Sequence, residues 1–216
     1  MRQPDEIQLE SFRIIEAEIG SHRFPPEQWQ VVRRVIHSTA DFEYAELLRF
    51  HPQAFAAAEE AIRRGEDILT DVQMVRMGIH PLAERRHGMR VRCHLGDPEM
   101  SDAVKAMAST RTARGMLQGL TSEPVGICVI GNAPTALRAL LAALRQPDMQ
   151  PPRLIIGVPV GFVDAAESKQ ALYETAAVPW ITTLGRKGGS TVAAAIVNAL
   201  LEWVAPHQPT SEPHHG

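Results

Sequence analysis

Apolar residues recur along this chain in two rhythms, and the rhythms take turns. Over residues 7–19, Leu9, Phe12, Ile15 and Ile19 return every three or four positions, the spacing of one helical face. Phe24-Pro25-Pro26 interrupts that face, and Pro26 opens a second helix whose apolar side is Trp29, Val32, Val35 and Ile36. This helix delivers His37-Ser38-Thr39-Ala40-Asp41 at or near its end. An Ala-rich helix over 52–64 stops at Gly65, which reads as a C-cap. Residues 67–70 then form a short strand leading to Asp71, and 72–77 a brief helix.

The second half repeats a simpler unit. Residues 89–95 (MRVRCHL) alternate like a strand, and Gly96-Asp97-Pro98 turns the chain into a helix over about 99–120. Residues 125–144, VGICVIGNAPTALRALLAAL, run as strand, tight turn and helix, with Pro134 in the first helical turn where its missing N–H costs nothing. A Pro-rich linker over 146–152 precedes a strand at 153–157, and 158–168 passes through Gly161 into a helix reaching Glu174. A fifth strand at 179–184, the loop GRKGGS at 185–190 and a closing helix over 191–204 complete the pattern. Strands alternating with helices predict a three-layer α/β/α fold with a mostly parallel sheet of about five strands. Residues 1–205 read as one domain and 206–216, polar and Pro-rich, as a mobile tail.

In such folds ligands bind beyond the carboxyl ends of the strands. Asp71 and the loops at 131–135, 157–161 and 185–190 are therefore expected along one edge. The turn at 131–135 is expected to aim backbone N–H groups and a helix N-terminus at one spot, which suits an anion. GRKGGS sets two cations and three glycines at another helix start, with the same expectation; a basic solvent loop is the plain alternative.

Composition narrows the classes. At 216 residues, with 44% apolar and 22% charged residues, the chain is an ordinary globular protein. A net charge of −3 and 5% aromatic residues argue against a nucleic-acid partner. No secretory h-region and no membrane-length apolar run are present, so a cytoplasmic protein is expected. Cys93 and Cys128 lie in strand-like runs and read as small core residues. GNAPTA is not a GxGxxG fingerprint and GRKGGST is not a P-loop, which leaves a nucleotide-dependent transferase weakly supported.

Of nine histidines, His37 stands out because it ends an apolar helical face among small polar residues; a lone His of this kind is more often a packing or capping residue than a catalyst. His22, His51, His80, His87 and His94 lack a partner at metal-ligand spacing, and His207, His214 and His215 lie in the tail. Arg111, in STRTAR, offers a fork to a carboxylate or pairs with a helix neighbour. Ser11, taken alone, is a solvent-facing helical residue.

Together, SFRII at 11–15, RVIHSTADFEY at 34–44, IGNAPTAL at 130–137, GVPVGFVDAAESK at 157–169 and GRKGGS at 185–190 resemble the precorrin-8X methylmutase family of cobalamin biosynthesis, in the same order over about 7–204. The wording at 41–44 and 70–75 resembles the cobalt-precorrin-8 branch more than the cobalt-free one. The resemblance implies an intramolecular transferase that moves a methyl group from C11 to C12 of a corrinoid precursor by a [1,5]-sigmatropic shift. It implies a homodimer with interfacial active sites and no cofactor, any cobalt belonging to the substrate. The family's active-site histidine falls on His37 and a substrate-contacting serine on Ser11; Thr39, Arg111, Asn132, Thr135 and Arg186 are expected as further substrate contacts. A non-catalytic corrinoid carrier is the alternative from another class.

Overall fold

The structure is a computed structural model that describes residues 4–79, 82–97 and 110–204. Helix α1 covers Pro4–Ile19, α2 Pro26–Thr39, α3 Tyr44–Leu47, α4 Ala54–Arg63, α5 Gln73–Gly78 and α6 Leu82–His87. The later helices are α7 Arg111–Ser122, α8 Pro134–Ala143, α9 Ala165–Tyr173 and α10 Ser190–Trp203. The strands are β1 Leu48–Phe50, β2 Ile68–Thr70, β3 Val91–Arg92, β4 Ile127–Ile130, β5 Leu154–Gly157 and β6 Trp180–Thr183. They form one sheet in the order β1-β6-β5-β4-β2-β3. Every neighbouring pair is parallel except β1 with β6.

The four inner strands β2, β4, β5 and β6 are buried on both faces, so they read as largely apolar runs. Alternate side chains still serve different layers. Ile127, Val129, Leu154, Ile156 and Ile181 pack with the helical layer of α2, α4, α5 and α10. Cys128, Ile130, Ile155 and Trp180 pack with α7, α8 and α9 on the other side. Each fully buried Ile or Leu contributes about 1.5–3 kcal/mol. The three-layer fold and its five parallel strands match the sequence reading.

Several details differ. The sixth strand, β1, has no counterpart in the sequence reading: Leu48, Arg49 and Phe50 do alternate, but three residues are too short a run to mark a strand, and pairing with β6 makes it one. Leu9 is 57% exposed whereas Ile15 is buried, because six residues at 3.6 per turn place the two about 120° apart around α1. The helix expected over 99–120 does not run through residue 110. Thr110 is extended, and its Oγ1 accepts from the Ala113 amide at 3.2 Å, so α7 starts at Arg111. Residues 98–109, His80 and the tail from 205 onwards, with its three histidines, lie outside the described residues. Gly65 does end α4, with φ +62° and the Glu66 amide donating to the Ala61 carbonyl.

The chain order places β2 between β3 on one side and β4 on the other. This is the point where strand order reverses and where open α/β sheets bind ligands. Asp71 follows β2 and Gly131 follows β4 at that point.

Candidate active site

Helix α2 buries Trp29, Val32, Val35 and Ile36, and its inner side packs against α10. One residue further round, His37 is left on the outer side, exposed, with its ring edge-on to Phe12 at 5.4 Å between centroids. The helix stops because Ala40 adopts a left-handed conformation, φ 52°, and returns its N–H to the Ile36 carbonyl at 2.7 Å. Ser38 and Thr39 donate back to the Val35 carbonyl at 3.0 and 2.8 Å, and the Thr39 hydroxyl also accepts from the Asp41 amide at 3.3 Å. Thr39, one of the expected substrate contacts, thus also bonds the backbone at the end of α2.

Across from His37 stands the start of α10. Ser190 and Thr191 line a cleft of about 340 Å³ with His37, Arg34, Gln8 and Met74. Gly78 lets α5 approach α10 there, since a Cβ would meet the Ala194 Cβ at 2.9 Å. Partial burial holds the His37 imidazole below its ordinary 6.5, and the nearby Arg34 cation lowers it further. Arg34 is itself paired with Glu202 at 2.6 Å. Ser11 lies on α1 between the Gln8 side, which reaches the cleft, and the exposed Ile7–Ile14 stripe, and its hydroxyl donates to the Ile7 carbonyl at 3.0 Å.

The turn after β4 is a correction to the sequence reading. Its amides are not available to an outside anion, because Asp71 already occupies them. Gly131 N–H donates to Asp71 Oδ1 at 3.1 Å, and the Asn132 and Ala133 amides donate to Oδ2 at 2.9 and 2.8 Å. Burial pushes the Asp71 carboxyl up, and the three amide donors pull it back by less. A residue sixty positions earlier thus caps α8, whose own N-cap residue Ala133 has no capping side chain.

The loop at 185–190 is corrected in one respect. Lys187 is not a free cation: its ammonium pairs with Asp41 at 2.6 Å and Glu43 at 2.9 Å, which pushes it up to about 12. The Tyr44 hydroxyl donates to the Gly188 carbonyl at 3.4 Å, and Gly189 N–H to the Val158 carbonyl at 2.8 Å. The loop is therefore a packed connection between the end of α2 and the start of α10. Arg186 remains exposed, with its guanidinium carbon 5.5 Å from the centre of the Phe162 ring.

The remaining expected residues gather at the starts of α7 and α8. The Thr135 hydroxyl lies 2.9 Å from that of Thr110 and 3.4 Å from that of Thr112, so a threonine cluster joins the two helix ends. Arg111 and Asn132 are exposed beside it, and Arg111 reaches back towards Gly96. The expected residues thus fall into three groups along the carboxyl edge: His37 with the cleft, Arg186 with Phe162, and Arg111 with Asn132 and Thr135. Sequence reasoning missed Arg34, Thr191 and Gln8. Arg34 carried a signal, since a residue three before His37 shares its helical face. Among the described residues no group of three or more His, Cys, Asp or Glu side chains could hold a metal. His87 instead contacts the Leu201 carbonyl and His94 pairs with Asp97.

Comparison with known proteins gives a concordant result. A family model described as precorrin-8X methylmutase matches residues 6–203. The cobalt-precorrin-8 methylmutase of Leptospira interrogans is 42% identical over 202 residues, covering 90% of this chain and 91% of its own. The precorrin-8X methylmutase of a Sinorhizobium species is 38% identical, covering 93% and 95%. The crystal structure of the Thermus thermophilus precorrin-8X methylmutase superposes with a TM-score of 0.82 at 44% identity, over 92% of this chain and 95% of that one. A match of this extent in sequence and in backbone shows that the chain belongs to the precorrin-8X methylmutase family.

Proposed function

We propose that this protein moves the methyl group from C11 to C12 of a precorrin-8 macrocycle, in the cytoplasm, and that its substrate carries cobalt. The cobalt reading is supported by the wording at 41–44 and 70–75 and by six relatives named cobalt-precorrin-8 methylmutase at 38–42% identity, while relatives named for precorrin-8X span 37–44%. The single observation that carries the reading is the exposed His37 imidazole on the wall of a cleft at the carboxyl edge of the sheet.

A [1,5]-sigmatropic shift needs no nucleophile, hydride carrier or nucleotide. The protein has to hold a flat macrocycle and perturb its electrons. His37 acts as the acid: its proton goes to the macrocycle beside the migrating methyl, drains density from the diene, and returns to the imidazole once the methyl has moved. Where cobalt holds the ring nitrogens, the proton is directed at ring carbon. The acetate and propionate arms of the substrate meet Arg111 and Arg186, with Ser11, Asn132 and Thr135 as neutral hydrogen-bonding contacts. Thr39 supports this wall through its backbone bonds.

A cleft of 340 Å³ is at the small end of ligand sites and does not enclose such a macrocycle. The remaining wall comes from a second copy of the chain. Met74 and Met77, 72% and 78% exposed on α5 beside the cleft, form part of that contact.

Anaerobic incubation with metal-free and cobalt-bound precorrin-8 side by side, followed by visible absorption, tests the proposal. Wild type should convert the cobalt form, and His37→Ala should lose about 10²–10⁴-fold in turnover while keeping its affinity for the macrocycle. Unchanged turnover in the variant removes the acid role. Binding without conversion in wild type makes the protein a corrinoid carrier.

A further inference from the structure

Lys169 is a long cation with no exposed surface at all. It sits on α9 behind the 185–190 loop, and among the described residues no carboxylate pairs with it. Its Nζ donates to the Lys187 carbonyl at 2.6 Å and to Thr183 Oγ1 at 3.3 Å. The Thr183 hydroxyl in turn donates to the same Lys187 carbonyl at 2.9 Å. Burial alone pushes the Lys169 ammonium down to about 8. Burying an ammonium without a counter-ion is costly, and an apolar side chain of similar length would fill the space without that cost. Among the described residues its hydrogen-bond acceptors are a hydroxyl and one loop carbonyl.

That carbonyl belongs to the residue on which both walls of the cleft depend. Lys187 is held from behind through its backbone. In front, its side chain grips Asp41 and Glu43, just past the helix end that carries His37. Two residues later the Gly189 amide is fixed to Val158, and Ser190 and Thr191 begin the opposite wall. Gly188 between them has no freedom to drift, since a Cβ there would lie 2.2 Å from the Val158 carbonyl oxygen.

We propose that Lys169 is a positioning residue for the methyl shift: by holding the Lys187 carbonyl it sets the distance between His37 and the start of α10. The proposal rests on the assignment of His37 made above. It predicts that losing the anchor displaces the acid from the reacting carbon more than it weakens binding.

The test uses Lys169→Met, Lys187→Met and the double variant, with the precorrin-8 form that wild type converts. Lys169→Met should lower kcat about 10–100-fold, as a misplaced acid does, while KM stays within threefold. Backbone amide exchange over 185–191 should quicken at least tenfold, with the thermal midpoint of the whole protein unchanged or raised. In the Lys187→Met background, where the grip on Asp41 is already gone, Lys169→Met should cost no more than about threefold further. A wild-type kcat, wild-type exchange in the loop, or full multiplicative effects in the double variant each overturn the proposal. If Lys169→Met does not fold, Thr183→Val replaces it: it removes one of the two donors to the Lys187 carbonyl and should lower kcat several-fold at constant KM, and a wild-type kcat overturns the proposal. Should wild type convert neither substrate, the acid role of His37 fails, and the exchange measurement alone decides whether Lys169 anchors the loop.

Discussion

Two turns at the carboxyl edge of the sheet share a plan and end differently. After β4, residues 131–133 lead into α8; after β6, residues 185–189 lead into α10. Both helices begin without a capping side chain of their own, at Ala133 and at Gly189. Asp71 closes the first from the neighbouring strand, taking three amides with one carboxyl group. For the second, no side chain among the described residues plays that part, and Ser190 and Thr191 line the cleft opposite His37. A helix start on a glycine turn is thus only a potential anion site. Whether it faces a ligand depends on what the rest of the chain brings to it.

The strongest way to break this contrast is to empty the first turn. Asp71→Ala strands three amide donors, two of them buried, and should cost about 3–5 kcal/mol in urea unfolding, with little change in the cleft. The pH dependence has a definite sign. Burial raises the folded carboxyl above its ordinary 3.8, so its stabilising share is complete below that value and is lost as pH rises through the folded value. Asp71→Asn should flatten this part of the stability curve.

Next comes the second turn. Gly188→Ala drives a Cβ into the Val158 carbonyl and should cost about 1–3 kcal/mol, together with most of the turnover, since the displaced loop is a cleft wall. Gly185→Ala is the control: φ is +72° but nothing lies within 4 Å, so about 1 kcal/mol of strain should appear with turnover largely kept. The smallest effect belongs to Arg34→Gln. Removing that cation should move the basic limb of kcat/KM up in pH, towards but not reaching 6.5, because burial, the larger cause, persists. A limb that stays in place would assign it to a group other than His37.

The parallel strands were legible because each is a contiguous apolar run between turn residues, and α2 because Trp29, Val32, Val35 and Ile36 keep a helical period up to His37. What local pattern does not carry is pairing across long stretches of chain. Leu48–Phe50 becomes a strand only through Ile181–Thr183. Lys187 reads as a free cation until Asp41, 146 residues away, is placed beside it. The alternation of strands and helices puts Asp71 on the same edge as Gly131, but nothing in either segment says that its carboxyl points at the amides. Arg111 was read as part of a long helix because Thr110, a residue that also occurs inside helices, hid a cap. The cleft suffered most from this limit, since its walls come from α1, α2, α5 and α10.

The last of those walls has a bearing on how the protein is made. Helix α2 finds its main packing partner in α10, and β1 finds its hydrogen bonds in β6, so the first fifty residues are joined to the sheet through the far end of the chain. A nascent polypeptide can assemble β2 to β5 with their helices while still on the ribosome. The helix bearing His37 stays without its main surface until residues 190–203 emerge. Its close-out is therefore a late, long-range event in folding, and the amino-terminal helices are the segment most in need of protection during synthesis.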